Sequence, residues 1–208
     1  IVFGDWSSDV CSSDLYGLEE FAFASEPFSI RVGPNRFSLE RLHVEAPGTA
    51  ADLDLRVHAR WPSAPFAPTS MGWYAFAGFM ECYHGIVVLD GTAAGTVSGG
   101  GPREWRLYLE KDWGRSFPRG WVWLQTNSFP ERASLTCSIA VVPFRGRSFA
   151  GFIIGLFAGG RLYRFATYDG ARVESVEVGE HEVRIAARRS ESKRLNSSHR
   201  IRARMPSS

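Results

Sequence analysis

Between Ala51 and Trp61 apolar and polar residues alternate. Leu53, Leu55, Val57, Ala59 and Trp61 fall on one side; Asp52, Asp54, Arg56, His58 and Arg60 fall on the other. A period of two belongs to a β-strand with one face in a core and one in water. Downstream, residues 134–142, 148–157, 161–168, 171–178 and 181–188 are strand-length runs rich in Val, Ile, Phe and Tyr. Gly159-Gly160 and Asp169-Gly170 stand between runs as two-residue hairpin turns, and Gly179 opens the next turn. Consecutive hairpins predict an up-and-down antiparallel sheet. In the run 172–178, Val173, Ser175 and Glu177 oppose Glu174, Val176 and Val178, a mixed pattern that predicts a strand near an edge.

No amphipathic helix of useful length is predicted between Phe28 and Arg189. The three prolines of residues 61–73 make that segment an irregular crossing loop. Ser98-Gly99-Gly100-Gly101-Pro102 lies between strands and opens no helix, which argues against a phosphate loop. The fold class is therefore all-β, a barrel or a sandwich, and the simplest closure is an up-and-down barrel. A small barrel of that kind can hold one apolar ligand.

Charge alters this picture little. The 208 residues carry 24 basic and 22 acidic side chains, a net charge of +2. Residues 5–15 have no hydrophobic period and resemble the translation of a short-read sequencing adapter; residues 193–208 resemble the same adapter on the opposite strand. Residues 1–15 and 191–208 are therefore expected to be adapter-derived tails around a partial β-barrel domain at 16–190. Without them the net charge is about +1, which gives no electrostatic reason to expect a nucleic-acid partner. Cys82 and Cys137 remain, either as buried free thiols or as one disulfide. No His/Cys/carboxylate spacing suggests a metal site.

Two segments depart from ordinary strand composition. In the first, Met80 to Gly85, alternation puts Glu81 and Tyr83 on one face and Cys82 and His84 on the other, so a direct Glu81–His84 pair needs a bulge. In the second, residues 104–112 and 120–129 form two strands joined by the loop 113–120. Trp121, Trp123, Gln125 and Asn127 share a face, two indoles leading to two carboxamides. Such a wall suits a pocket that takes a lipid chain and orients a polar head. Glu110 and Asp112 also share a face, with Lys111 pointing the other way. That triplet reads either as a solvated cluster at a strand end or as part of a site.

The segments "MECYHGIV" (80–87), "YLEKDWGRSFPRGWVWLQTNSF" (108–129) and "GGRLYRFATYDGA" (159–171) together resemble the tocopherol cyclase family, including its bacterial members. The likeness runs in order from about Phe28 to Arg189. It implies a lipocalin-like β-barrel, here incomplete because upstream strands are absent, and a kinship with carotenoid hydratase-like proteins. It also implies ring closure of a prenylated hydroquinone, such as a phytyl benzoquinol, to a chromanol: the side-chain alkene takes a proton, and the phenol oxygen captures the tertiary cation. That chemistry needs no cofactor.

On this resemblance Glu110 or Asp112 is the proton donor, and Glu81 or His84 receives the phenol proton. Trp113, Trp121 and Trp123 line the isoprenoid pocket, where indole faces steady a cation. Gln125 and Asn127 hold the quinol oxygens, and Tyr83 and Lys111 complete the substrate-binding set. A substrate of this kind, or another isoprenoid lipid, resides in membranes, so peripheral membrane contact is expected. The competing expectations are a non-catalytic isoprenoid carrier, a hydratase in which water captures the cation, and a structural β-domain with a filled interior.

Overall fold

The computed structural model describes residues 16–178, 182–188 and 198–204. Among the described residues fourteen strands follow one another: β1 (Phe21–Ser25), β2 (Phe28–Val32), β3 (Asn35–Ser38), β4 (Arg41–Ala46), β5 (Thr49–Arg60), β6 (Cys82–Val97), β7 (Arg103–Gly114), β8 (Trp121–Thr126), β9 (Ala133–Phe144), β10 (Arg147–Ala158), β11 (Arg161–Ala166), β12 (Arg172–Val178), β13 (Glu182–Arg188) and β14 (Ser198–Arg204). The helical elements among the described residues are three short 3₁₀ turns, Leu18–Glu20, Gly72–Phe76 and Thr167–Asp169. No helix there is long and apolar enough to cross a membrane.

The strands form a seven-stranded sheet in the order β1 to β7, a four-stranded sheet β11-β10-β9-β8 and a three-stranded sheet β12-β13-β14. Every neighbour in a sheet is a neighbour in the chain. The fold is thus all-β and up-and-down, an incomplete barrel whose seven-stranded sheet is open rather than closed on itself.

The chain divides into two compact units. Among the described residues, one holds everything up to Trp61 together with Ile86–Glu110. The β5 alternation is realised here: Leu53, Leu55 and Val57 pack with Leu39, Val87 and Leu109 against buried Val88, Ala93 and Leu107, while Asp54, Arg56, His58 and Arg60 are exposed. A register shift between Val57 and Ala59 bulges β5 at His58.

The other unit holds 62–85 and the described residues from Lys111 onward. Its core comes from one face of the four-stranded sheet. Leu124, Leu135, Cys137, Phe152, Ile154 and Phe165 form it, with Ala171, Ile185 and Ala187 packed on top. Gly159 and Gly160, both at positive φ, make the expected two-residue turn between β10 and β11. Arg145-Gly146 makes a second such turn, between β9 and β10.

Asp169-Gly170 does not behave as a hairpin turn. Thr167–Asp169 is a 3₁₀ turn closed by Gly170 at φ 75°, and it hands the chain from one sheet to another. The Asp169 carboxylate is drawn back to Arg164 at 2.7 Å, and Thr167 Oγ1 accepts the Phe152 N–H. These local bonds hold the turn in place of a β11–β12 pairing. Strand β12 is an edge strand bulged between Val173 and Ser175, in keeping with its mixed pattern. The expected tail at 1–15 lies outside the described residues, as do 191–197 and 205–208. Ser198–Arg204 of the second expected tail pairs with all of β13, and its sequence alternates Ile201 and Ala203 with Arg200, Arg202 and Arg204.

Candidate active site

The site is built on the outer ends of β6 and β7, Cys82–Gly85 and Lys111–Gly114, which lie in one unit. Two glycines let these ends lie close. A side chain at Gly114 would meet the Glu81 carbonyl oxygen at 2.2 Å. One at Gly85 would meet the Trp113 indole at 3.0 Å. The Arg115 N–H also donates to the Glu81 carbonyl at 2.9 Å.

This pairing sorts the expected residues onto two faces. On one, His84 Nδ1 and Asp112 Oδ1 are hydrogen-bonded at 2.7 Å. The His84 side chain is 10% exposed and Asp112 35%. His84 therefore takes Asp112, across the ladder, rather than Glu81 as its carboxylate partner at Nδ1, and no bulge is needed. Glu81 stands in a bend just before β6. On the other face Tyr83 stacks on Trp113, ring centroids 5.6 Å apart, and the Lys111 ammonium lies 4.5 Å from the Trp113 centroid. Burial lowers the Lys111 pKa from its ordinary value. Cys82, on the His84 face by alternation, is pushed up to about 11, first by burial and then by the Asp112 charge.

Glu110 ends the stretch of β7 that belongs to the first unit. Its Oε2 accepts a 2.5 Å hydrogen bond from the Tyr108 hydroxyl, two residues back along the same strand.

A second arrangement, absent from the sequence reading, fixes His84 from behind. The Ser70 hydroxyl, wholly buried, donates to the His84 carbonyl at 2.7 Å. The Tyr168 hydroxyl donates to the Ser70 carbonyl at 2.6 Å across 98 residues of chain. Burial pushes the Tyr168 pKa up to about 12; Arg164 opposes that shift and Asp169 adds to it. No spacing pointed to Ser70, in the proline-rich loop. Tyr168 lay inside the quoted segment 159–171, but without a role.

On β8, Trp123 and Gln125 share a face, as expected from alternation, and Asn127 lies just past the strand end. The β8–β9 register sets Trp123 opposite Ser138 and Gln125 opposite Thr136. This is the face opposite the Leu124–Leu135–Cys137 core. Trp123 Nε1, Gln125 Nε2, Ser134 Oγ and Thr136 Oγ1 are buried there without a hydrogen-bond partner among the described residues. Across the next strand pair, Thr136 faces Gly155, which contributes no side chain. A small polar row opposite an apolar core is legible in Ser134-Leu135-Thr136-Cys137-Ser138, where hydroxyl residues alternate with core residues. Trp121 belongs to this face by alternation, with Phe117 ring-to-ring at 6.0 Å. Cys82 and Cys137 are free thiols, and burial pushes Cys137 up to about 12.

Residues 49–184 match the model of a family described as tocopherol cyclase-like. A chloroplastic tocopherol cyclase of Zea mays is 30% identical over 111 residues, which cover 49% of this chain and 23% of that protein. A probable chloroplastic tocopherol cyclase of Oryza sativa subsp. japonica is 30% identical over 111 residues, covering 49% of this chain and 24% of that protein. The match thus spans about a quarter of the length of these curated relatives. No solved structure matches the chain. Since the family model covers more than half of the 208 residues, and the segments that resemble tocopherol cyclases in sequence all fall inside it, the chain belongs to the tocopherol cyclase-like family.

Proposed function

We propose that the protein closes a prenylated benzoquinol to a chromanol. In this reaction the side-chain alkene gains a proton at its less substituted carbon, and the other carbon becomes a tertiary cation. The phenol oxygen bonds to that carbon and gives up its proton. One proton enters and one leaves, so the product has the mass of the substrate.

The observation that carries the reading is the 2.7 Å His84–Asp112 hydrogen bond. A carboxylate at Nδ1 keeps a proton on that nitrogen and orients the ring, leaving Nε2 to exchange a proton with substrate. His84 is the receiver of the phenol proton, and Asp112 is the group that holds it. Glu110, held by Tyr108, is the donor to the alkene. Glu81 has no role in this arrangement. Trp121 and Trp123 steady the cation, because the Trp113 ring already carries the Lys111 ammonium. Gln125 and Asn127 address the quinol oxygens, while Tyr83 and Lys111 support Trp113.

Incubation with a phytyl benzoquinol, followed by chromatography with mass detection, tests this. The expected product has unchanged mass and the retention of a chromanol. Asp112→Asn and Glu110→Gln should each remove turnover while leaving the circular dichroism spectrum intact; two active variants would overturn the assignment. The exposure of Asp112 favours one competing outcome, capture of the cation by water. That product is heavier by one water and would identify a hydratase.

A further inference from the structure

Three segments of one unit carry exposed aromatics and no acid. Residues 62–80 hold no charged side chain at all, yet include Phe66, Trp73, Tyr74, Phe76 and Phe79. Residues 114–120 hold Arg115, Phe117 and Arg119; residues 141–149 hold Val141, Phe144, Arg145 and Arg147. Phe66, Trp73, Phe76, Phe117 and Phe144 are between 41% and 84% exposed. All four arginines are exposed.

The segments adjoin. Trp73 and Tyr74 are in ring contact at 4.3 Å, Tyr74 and Phe79 at 6.1 Å, and Phe79 and Phe144 at 5.1 Å. The Arg145 guanidinium lies over Phe144 at 5.4 Å, and the Val141 N–H donates to the Gly120 carbonyl at 3.0 Å. The result is one surface of tryptophan and phenylalanine rings with a charge of four arginines and no carboxylate within its segments.

We propose that this surface docks the protein on an anionic lipid bilayer, with Trp73, Phe76 and Phe144 in the interfacial layer and Arg115, Arg119, Arg145 and Arg147 on the headgroups. Indole and phenyl rings settle at the boundary between headgroup and acyl chain. Exposed arginines are attracted to an anionic leaflet, so charge complementarity selects a negatively charged surface. An apolar patch of this kind on a monomer marks an interaction site, and the missing carboxylates select lipid over a basic partner. The inference goes beyond the proposed reaction and does not depend on it. It also places the docking surface close to the candidate active site: Tyr74 is 5.9 Å from Tyr168, whose hydroxyl holds Ser70, which in turn holds His84.

The test is flotation of the full chain, without substrate, on vesicles of phosphatidylcholine alone or mixed with phosphatidylglycerol. The expected result is co-flotation with the mixed vesicles, weakened by added salt. Arg119→Glu with Arg147→Glu should lower partitioning on mixed vesicles by at least about tenfold. Trp73→Ser with Phe76→Ser should also lower it on mixed vesicles; all four side chains are exposed, so neither pair disturbs the core. Absence of flotation would overturn the proposal, as would flotation unchanged in both variants. Elution of the native chain as a dimer that Trp73→Ser with Phe76→Ser dissociates would overturn it in favour of a second copy as the occupant. None of these outcomes requires catalysis, so loss of the cyclase reading would leave the result standing.

Discussion

Thr136 is 1% exposed, and its hydroxyl has no hydrogen-bond partner among the described residues. A buried hydroxyl without a partner costs about 1–3 kcal/mol by its desolvation. Thr136→Val keeps the branched shape and removes that cost. The expected outcome is a thermal midpoint equal to or above that of the native protein, read by calorimetry; a clear fall would show that the hydroxyl is satisfied in solution. Tyr168 makes the opposite case. Its hydroxyl bond to the Ser70 carbonyl, at 2.6 Å, is largely enclosed. Tyr168→Phe removes this hydrogen bond and should lower stability by about 1 kcal/mol in denaturant titration. At this scale the sequence showed Gln125 and Trp123 sharing a face, because period-two alternation survives folding. It did not show His84 with Asp112, since partners 28 residues apart depend on ladder register, which no local pattern encodes.

Among the elements, the ends of β6 and β7 depend on glycine. A Cβ at Gly114 would sit 2.2 Å from the Glu81 carbonyl oxygen and 2.8 Å from the Cys82 Cα. Both are backbone atoms, so no rotamer change relieves the contact. Gly114→Ala should destabilise by at least about 1–3 kcal/mol and should separate His84 from Asp112, detectable as a change in the His84 ring proton resonances. An unchanged denaturation midpoint would contradict that placement. Element boundaries were legible where turn chemistry was local, as at Gly159-Gly160. They were misread at Asp169-Gly170, because Asp169 answers to Arg164 five residues back instead of to a turn of its own. Ser198–Arg204 was read as part of an adapter-derived tail; it forms β14, and its alternation of Arg with Ile and Ala suits that strand.

For the molecule as a whole, the class was visible in the run of hairpins, because pairing between chain neighbours needs only strands and turns. The division into two units was not visible, since β6 and β7 each run without a break from one unit into the other. Stability of the whole should depend on alkaline pH through its thiols. Burial holds Cys137 at about 12 and Cys82 at about 11, against an ordinary value of 9.0. Between the ordinary and the raised values the unfolded chain binds fewer protons than the folded one. The stabilisation is therefore complete below about pH 9 and is lost as pH rises toward the folded values. Denaturation midpoints measured from about pH 8 to about pH 11 should fall, and Cys137→Ala should flatten that fall. An identical slope in the variant would exclude Cys137 as its source.

Among the described residues, each strand pairs only with the strand made just before or just after it. In a chain emerging from the ribosome, every pairing partner is already outside, or follows within a few tens of residues. Short loops cost little entropy to close, and mostly local pairing lowers the contact order that slows other all-β folds. The meander can therefore be laid down hairpin by hairpin during synthesis, and the long wait with exposed strand edges that favours aggregation is shortened.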